Sequence, residues 1–311
     1  MDRRLPKKLL VTGAGGFLGW NICRLAMQHY EVSGVFHRHP IALPGIAHEP
    51  CDLGSYVEVK ALMQRVRPDA VIHAAAIASP DRCMEDPAGS RRINVDAAVA
   101  LAGLCSDARI PCLFTSTDLV FDGTRPPYSE ASDPSPINLY GEQKVEAERA
   151  MRARHTAMTI CRMPLMFGDV PPGAQSSIQP LIRALTEGTT ISLFVDEFRT
   201  PVSGTTAAAG ILLMLEKPPG LIHLGGKERI SRYEFGKIVA AALGRDGSNI
   251  REARAADSVR LAPRPRDVSF DSVRAFSLGY RPKSILKEIK ALDSIRRMTN
   301  RTGLPTGDSP L

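Results

Sequence analysis

The first 162 residues alternate short, nearly unbroken apolar runs with longer amphipathic segments, and few architectures accept that pattern. Residues 8–12, 32–36, a run just before Cys51, 69–74, 111–116 and 156–162 read as strands. Residues 17–29, 55–65, 91–107 and 138–155 read as the helices between them, the first with Leu18, Ile22, Leu25 and Ala26 on one face. A strand that is apolar at successive positions must be buried on both faces. Strand–helix units repeated in this way predict an α/β class chain: a doubly wound parallel sheet with helices on both sides.

After Arg162 the alternation weakens, and Pro and Gly cluster at 171–173 and 218–220. A boundary near Met163 is therefore expected, with residues 1–163 as the first domain. Residues 164–300 would form a smaller C-terminal lobe, interleaved with late elements of the first. Residues 301–311 carry no apolar pattern and read as a flexible tail.

Composition narrows the function. Apolar residues at 43% and charged residues at 23% suit a globular chain, not a disordered one. No apolar stretch is long enough to span a bilayer, so no membrane partner is expected. The stretch 9–20 has Gly or Thr at five of its twelve positions, which breaks any signal-peptide apolar region. Forty basic and 33 acidic residues give +7, spread along the chain, with aromatics at only 5%. A nucleic-acid binder would concentrate such charge; this balance suits anionic small molecules instead. The six cysteines form no C-x-x-C pair, which predicts buried reduced thiols and a cytoplasmic location. The seven histidines form no ligand-spaced pair with a carboxylate, so no metal is expected.

The turn after the first strand reads Val11-Thr12-Gly13-Ala14-Gly15-Gly16-Phe17-Leu18-Gly19. Glycines 13, 16 and 19 permit a tight turn and a close approach of backbone to a pyrophosphate seated on the helix N-terminus. With a strand before and a helix after, this arrangement predicts dinucleotide binding by the first domain. The second strand ends in Phe36-His37-Arg38-His39, with no acid there. A basic residue at that position suits a 2′-phosphate, so Arg38 predicts NADP(H) in preference to NAD(H), which stays possible.

Tyr140 and Lys144 stand four residues apart on one predicted helix, whose start chemistry is Ser135 as candidate N-cap and Pro136 in the first turn. A cation beside a phenol stabilises tyrosinate and is expected to lower its pKa from about 10. The strand before that helix ends in Phe114-Thr115-Ser116-Thr117-Asp118. Hydroxyls at the carboxyl end of a strand lie where open α/β sheets bind ligands.

Taken together these motifs resemble the extended short-chain dehydrogenase/reductases, a Rossmann-type family. The resemblance adds His73-Ala74-Ala75-Ala76 after the fourth strand and Asn94 in the next helix. The segments Ser116-Thr117-Asp118-Leu119-Val120-Phe121-Asp122-Gly123, Ser135-Pro136-Ile137-Asn138-Leu139-Tyr140-Gly141 and Arg264-Pro265-Arg266-Asp267 look like the dTDP-4-dehydrorhamnose reductase branch. The resemblance implies that Gly13, Gly16 and Gly19, with Phe17 and Leu18, hold the pyrophosphate, and that Asp52 and Leu53 approach the adenine. It also places Ala74, Ala75, Ala76, Asn94, Ser116 and Pro164 against the cofactor. Tyr140 would be the acid, Lys144 would bind the nicotinamide ribose, and Thr117 would orient the carbonyl with Asp118 beside it. Arg199 and Arg264 would bind the diphosphate of a nucleotide sugar. The chain departs from the branch at Leu119, where an aromatic is usual, and at 198–201.

The implied activity is NADPH-dependent reduction of a keto group on a nucleotide-activated deoxysugar. An epimerase with tightly held NAD is an alternative. A dehydratase would carry a second acid where Leu119 stands. A non-catalytic regulatory subunit, resembling the beta subunit of methionine adenosyltransferase, is the third reading. A homodimer is compatible with the family.

Overall fold

The computed structural model describes residues 7–37, 43–258 and 260–301. Arg38 and the predicted tail from 302 onward lie outside the described residues.

The first half alternates as its sequence requires. It runs β1 (Lys8–Thr12), α1 (Phe17–Ala26), β2 (Glu31–Phe36), β3 (Ala47–Pro50), α2 (Tyr56–Val66) and β4 (Ala70–His73). It continues through α3 (Pro80–Glu85), α4 (Pro87–Arg91), α5 (Ala97–Ala108), β5 (Cys112–Thr117), α6 (Leu139–Arg154) and β6 (Thr159–Met163). The second half holds β7 (Met166–Phe167), α7 (Gln179–Glu187), β8 (Ile191–Phe194), β9 (Phe198–Arg199), β10 (Val202–Ser203), α8 (Gly204–Leu215) and β11 (Leu221–His223). It ends with β12 (Ile230–Ser231), α9 (Arg232–Ala242), β13 (Ile250–Ala253), α10 (Val273–Ser277), α11 (Ile285–Lys290) and α12 (Asp293–Arg301).

Seven strands form one sheet in the order β11-β6-β5-β4-β1-β2-β3. Every pairing in it is parallel. Its seventh strand, Leu221–His223, comes from beyond Met163 and pairs with β6. The order reverses between β1 and β4, which opens a crevice at the carboxyl ends of those two strands. Both faces are buried. Leu9, Val11, Ile72 and Leu113 pack under α1 and α8 with Ile22, Ile211 and Met214. Leu10, Val71, Phe114 and Ile160 pack on the other face with Leu62, Leu101 and Met151. A separate cluster from beyond β6 holds Phe167, Leu181, Phe235, Val239, Ile285 and Ile289. Among the described residues no helix is long and apolar enough to cross a membrane.

Two local expectations are corrected. The predicted helix 91–107 is preceded by two short helices, each opened by a side-chain cap: Ser79 for α3 and Asp86 for α4, with Pro at the start of both. One π-helical turn, Arg92–Asp96, then leads into α5. The N-cap of α6 is Asn138, not Ser135: the Asn138 side chain accepts from Gly141 N at 2.9 Å. Pro136 therefore lies outside the helix. The extended backbone at Asn138 lets α6 begin one residue before Tyr140.

Candidate active site

The glycine turn sits at the crevice between β1 and β4. Gly13 has φ +69°, and a Cβ there would lie 2.7 Å from both the N and Cα of Ala75. Only glycine lets these two backbones meet. Gly16 N donates to Gly13 O at 2.9 Å and starts α1 with no side-chain cap. A Cβ on Gly19 would lie 2.2 Å from Gly13 O, so this glycine seats the helix against the turn. The first turn of α1, including half-buried Phe17 and Leu18, carries no acidic residue. The positive end of that helix is thus left for an anion.

Ala74, Ala75 and Ala76 form the opposite wall, each half-buried. Thr12 ties the two walls: its Oγ1 accepts from Ala75 N at 3.3 Å and lies 2.7 Å from His73 Nδ1. Asn94 does not line the crevice with its amide. Its Oδ1 accepts from Ile77 N at 2.8 Å, and its Nδ2 donates to Ile77 O at 3.2 Å and to Gln143 Oε1 at 2.8 Å. Buried Asn94 therefore staples the alanine wall to α6. The carboxyl end of β3 presents Asp52 and Leu53, both half-buried. Asp52 accepts from Gly54 N at 2.9 Å and from Arg92 Nη2 at 3.1 Å.

Tyr140 and Lys144 face β5 from α6. A Cβ on Gly141 would lie 2.2 Å from Leu119 O, so the helix approaches the end of β5 as closely as backbones allow. Ser116, Thr117, Asp118, Tyr140 and Lys144 are all buried. Thr117 Oγ1 donates to Asp118 Oδ1 at 3.2 Å and accepts from Leu119 N at 3.2 Å. Asp118 lies 3.5 Å from Arg199 Nε. Burial nonetheless raises the Asp118 pKa, outweighing the pull of Arg199. Pro164 is buried directly after β6.

The electrostatics differ from the sequence expectation. Burial pushes the Tyr140 phenol well above its ordinary value, and Asp118 and Cys83 add to the rise; only the Thr117 hydroxyl pulls the other way. Lys144 does not lower it. The Lys144 ammonium lies 3.8 Å from the centroid of the Phe114 ring, and burial brings its pKa down to about 7. His73 stacks on the same ring, its centroid 5.6 Å away. Burial first, and then Lys144, depress His73 to about 3.

Arg199 and Arg264 are held by protein. Arg199 Nη1 donates to Phe198 O at 2.7 Å and Arg266 O at 3.3 Å, and Nη2 to Pro265 O at 3.1 Å. Arg264 donates to Ala262 O at 3.1 Å and to Asp81 Oδ2 at 3.0 Å. The two arginines brace the segment 262–266 against β9 and α3.

Sequence reasoning missed a buried support under α6. Arg162 on β6 forms a two-pronged pair with Glu148 on α6, at 3.0 and 2.7 Å, and lies 3.4 Å from His223 Nε2 on β11. It also gave no role to His73, which lay in a quoted motif. The six cysteines are all buried and free.

The family model for the RmlD substrate binding domain matches residues 7–291. Methionine adenosyltransferase 2 subunit beta of Xenopus laevis is 30% identical over 281 residues, covering 88% of this chain and 83% of that protein. The probable low-salt glycan biosynthesis reductase Agl14 of Haloferax volcanii is 31% identical over 268 residues, covering 84% and 88%. The crystal structure of dTDP-4-dehydrorhamnose reductase from Bacillus anthracis in complex with NADP superposes with a TM-score of 0.82 at 22% identity, covering 92% and 98%. The chain belongs to the RmlD substrate-binding-domain family, within the dTDP-4-dehydrorhamnose reductase-like branch of the extended short-chain dehydrogenase/reductases.

Proposed function

We propose that this protein reduces a keto group on a nucleotide-activated deoxysugar, with NADP(H) as the preferred nicotinamide cofactor. The observation that supports the reading is that buried Tyr140 has the Thr117 hydroxyl within hydrogen-bonding reach at the carboxyl end of β5, the strand next to β4 of the β1/β4 crevice. The residues present suit a dinucleotide. The α1 N-terminus carries no cap or acid of its own. Two polar atoms next to the crevice, His73 Nε2 and Ser116 Oγ, are buried without a hydrogen-bond partner. A buried polar atom of this kind costs free energy until a ligand satisfies it.

In this reading Gly13, Gly16 and Gly19, with Phe17 and Leu18, hold the pyrophosphate. Asp52 and Leu53 meet the adenine, and Ala74, Ala75, Ala76 and Pro164 enclose the nicotinamide half. Asn94 acts through Ile77 and Gln143 by fixing the alanine wall. Arg38 is the residue assigned to the 2′-phosphate. When bound, NADPH supplies the hydride that the carbonyl carbon receives.

The chain supplies the proton and the orientation. Thr117 holds the carbonyl oxygen, and Tyr140 gives its proton to that oxygen as negative charge develops on it. A raised pKa keeps Tyr140 protonated at neutral pH, which suits an acid. Lys144, with a pKa of about 7, gains a proton readily once ribose hydroxyls offer it acceptors, and its charge then steadies the tyrosinate left behind.

The test is a panel of 4-keto nucleotide sugars incubated with NADPH, read by nicotinamide absorbance. Oxidation of NADPH with one member supports the reading. No oxidation with any member, while NADPH binds, refutes it. A second reading is favoured by the 30% identity to a methionine adenosyltransferase subunit. Under that reading the protein binds a catalytic adenosyltransferase chain and leaves the whole panel unreduced.

A further inference from the structure

Lys144 is one end of a buried row of charges. Residues four apart share a helical face, so Glu148 stands one turn beyond Lys144 on α6 and Tyr140 one turn before it. Lys144, Glu148 and Arg162 are 1%, 5% and 2% exposed. Glu148 accepts with both carboxylate oxygens from Arg162 of β6, at 3.0 and 2.7 Å. That guanidinium lies 5.1 Å from the centroid of the Phe121 ring, and its Nη1 is 3.4 Å from His223 Nε2. His223 Nδ1 lies 3.0 Å from Tyr128 O. A carbonyl only accepts, so Nδ1 carries the proton and Nε2 is left to accept from Arg162. Burial first, and then Arg162, keep this histidine neutral, with a pKa brought down to about 3.

Glu148 is thus shared between two cations, one clamped on it and one a turn away. The other titratable groups around α6 do not take its place. His73 of β4 is held neutral. Cys83 of α3 and Asp118 after β5 act on Tyr140, and Asp118 pairs with Arg199. α5 packs beside α6 with the apolar Ala98, Leu101 and Ala102. Burial drives Lys144 toward its neutral form, and Glu148 is the charge that favours the ammonium.

A carboxylate near an ammonium favours its charged form, and a guanidinium held on that carboxylate offsets part of the attraction. Removing the carboxylate or the guanidinium leaves a buried charge unpaired and loosens the fold in either case. The two losses nevertheless push Lys144 in opposite directions.

We propose that Glu148 and Arg162 are positioning residues that together set how readily Lys144 takes up a proton, Glu148 favouring the ammonium and Arg162 restraining it. The part that Lys144 plays at the cofactor rests on the reading above; the tuning is a property of the cofactor-free chain.

The experiment follows Lys144 itself. The full chain is labelled with carbon-13 at lysine Cε, and the Lys144 resonance is assigned by its loss in Lys144→Arg. Its titration midpoint is then read without cofactor in wild type and variants. Glu148→Gln should lower the midpoint by about one pH unit, and Arg162→Met should raise it, although both melt lower than wild type. Arg162→Lys keeps a cation on Glu148 and should stay near the wild-type midpoint. Glu148→Leu combined with Arg162→Met carries no buried charge at this place and keeps the fold; its midpoint should fall below wild type, because Lys144 has lost its anion. Single variants that move the midpoint in the same direction, or leave it unmoved, overturn the proposal and make the pair a structural brace. Where a single variant does not fold, the double variant decides alone, and a wild-type midpoint in it overturns the proposal.

A second readout ties the tuning to the cofactor. With Lys144 an ammonium in the complex, a midpoint lower by one pH unit in the free chain weakens NADPH binding about tenfold above both midpoints and little below them. Glu148→Gln should show that pH-dependent loss. Opposite midpoints with no such change in NADPH affinity support the tuning and remove Lys144 from the cofactor reading. Neither readout depends on keto reduction, so failure of the reductase reading leaves the proposal standing.

Discussion

The Lys144 ammonium rests 3.8 Å from the centroid of the Phe114 ring and makes no hydrogen bond among the described residues. The side chain is 1% exposed. An aromatic face stabilises a cation, but less than the water that burial removes. Lys144 is thus a stored cost in the cofactor-free protein.

That cost has a pH signature. In the unfolded chain Lys144 titrates near 10.5, and in the fold near 7. Between those values the unfolded chain holds more protons, so this residue makes stability rise with pH. Below the folded value the penalty is present in full. Lys144→Met should therefore raise the Tm of the cofactor-free protein by at least about 2 °C near pH 6. The gain should shrink toward pH 10. A Tm lowered at every pH would show that the ammonium stabilises the fold.

If Tyr140 is the acid of the proposed reduction, Tyr140→Phe removes that proton donor. A positioned acid contributes about 10²–10⁴ in rate. Turnover should fall by that factor, while NADPH affinity measured by fluorescence stays within about twofold of wild type, since the reading assigns the pyrophosphate to the glycine turn and not to the phenol.

Glu148 and Arg162 hold α6 to β6 through a pair in which both side chains are under a tenth exposed. Removing one partner strands the other charge. Glu148→Ala should cost about 3–5 kcal/mol in urea unfolding, and the double change Glu148→Leu with Arg162→Met should recover most of it. An equal loss in single and double variants would mean that packing, not the charge, is what matters there.

Gly13→Ala should damage both fold and cofactor site. A left-handed alanine costs about 1–2 kcal/mol, and its Cβ would meet the Ala75 backbone at 2.7 Å. NADPH affinity is expected to drop by more than about tenfold, because displaced walls no longer match the pyrophosphate. A variant that binds NADPH normally would disprove the close approach.

The legible parts were those written in local spacing. Gly13, Gly16 and Gly19 lie within one turn, and Tyr140 and Lys144 within one helical face. The buried strands are apolar at successive positions, so the parallel sheet could be read directly. The Asn138 cap was misread as Ser135 because both residue types cap helices, and only backbone geometry separates them. The depressed pKa of Lys144 was unreadable, since the Phe114 ring and the depth of burial come from other elements. The same holds for Asn94 with Ile77 and Gln143, and for Arg162 with Glu148 and His223, which meet only through space. The strands after β6, two to four residues each, are too brief to show a period.

The most direct test follows the hydrogen itself. NADPH carrying deuterium at the transferring C4 position is incubated with the protein and the keto nucleotide sugar that it accepts, and the sugar product is weighed by mass spectrometry. One deuterium in the product, transferred by wild type and at a greatly reduced rate by Tyr140→Phe, is the predicted result. Product without deuterium, or transfer at an undiminished rate by Tyr140→Phe, would contradict a site in which a buried tyrosine completes reduction beside the glycine turn.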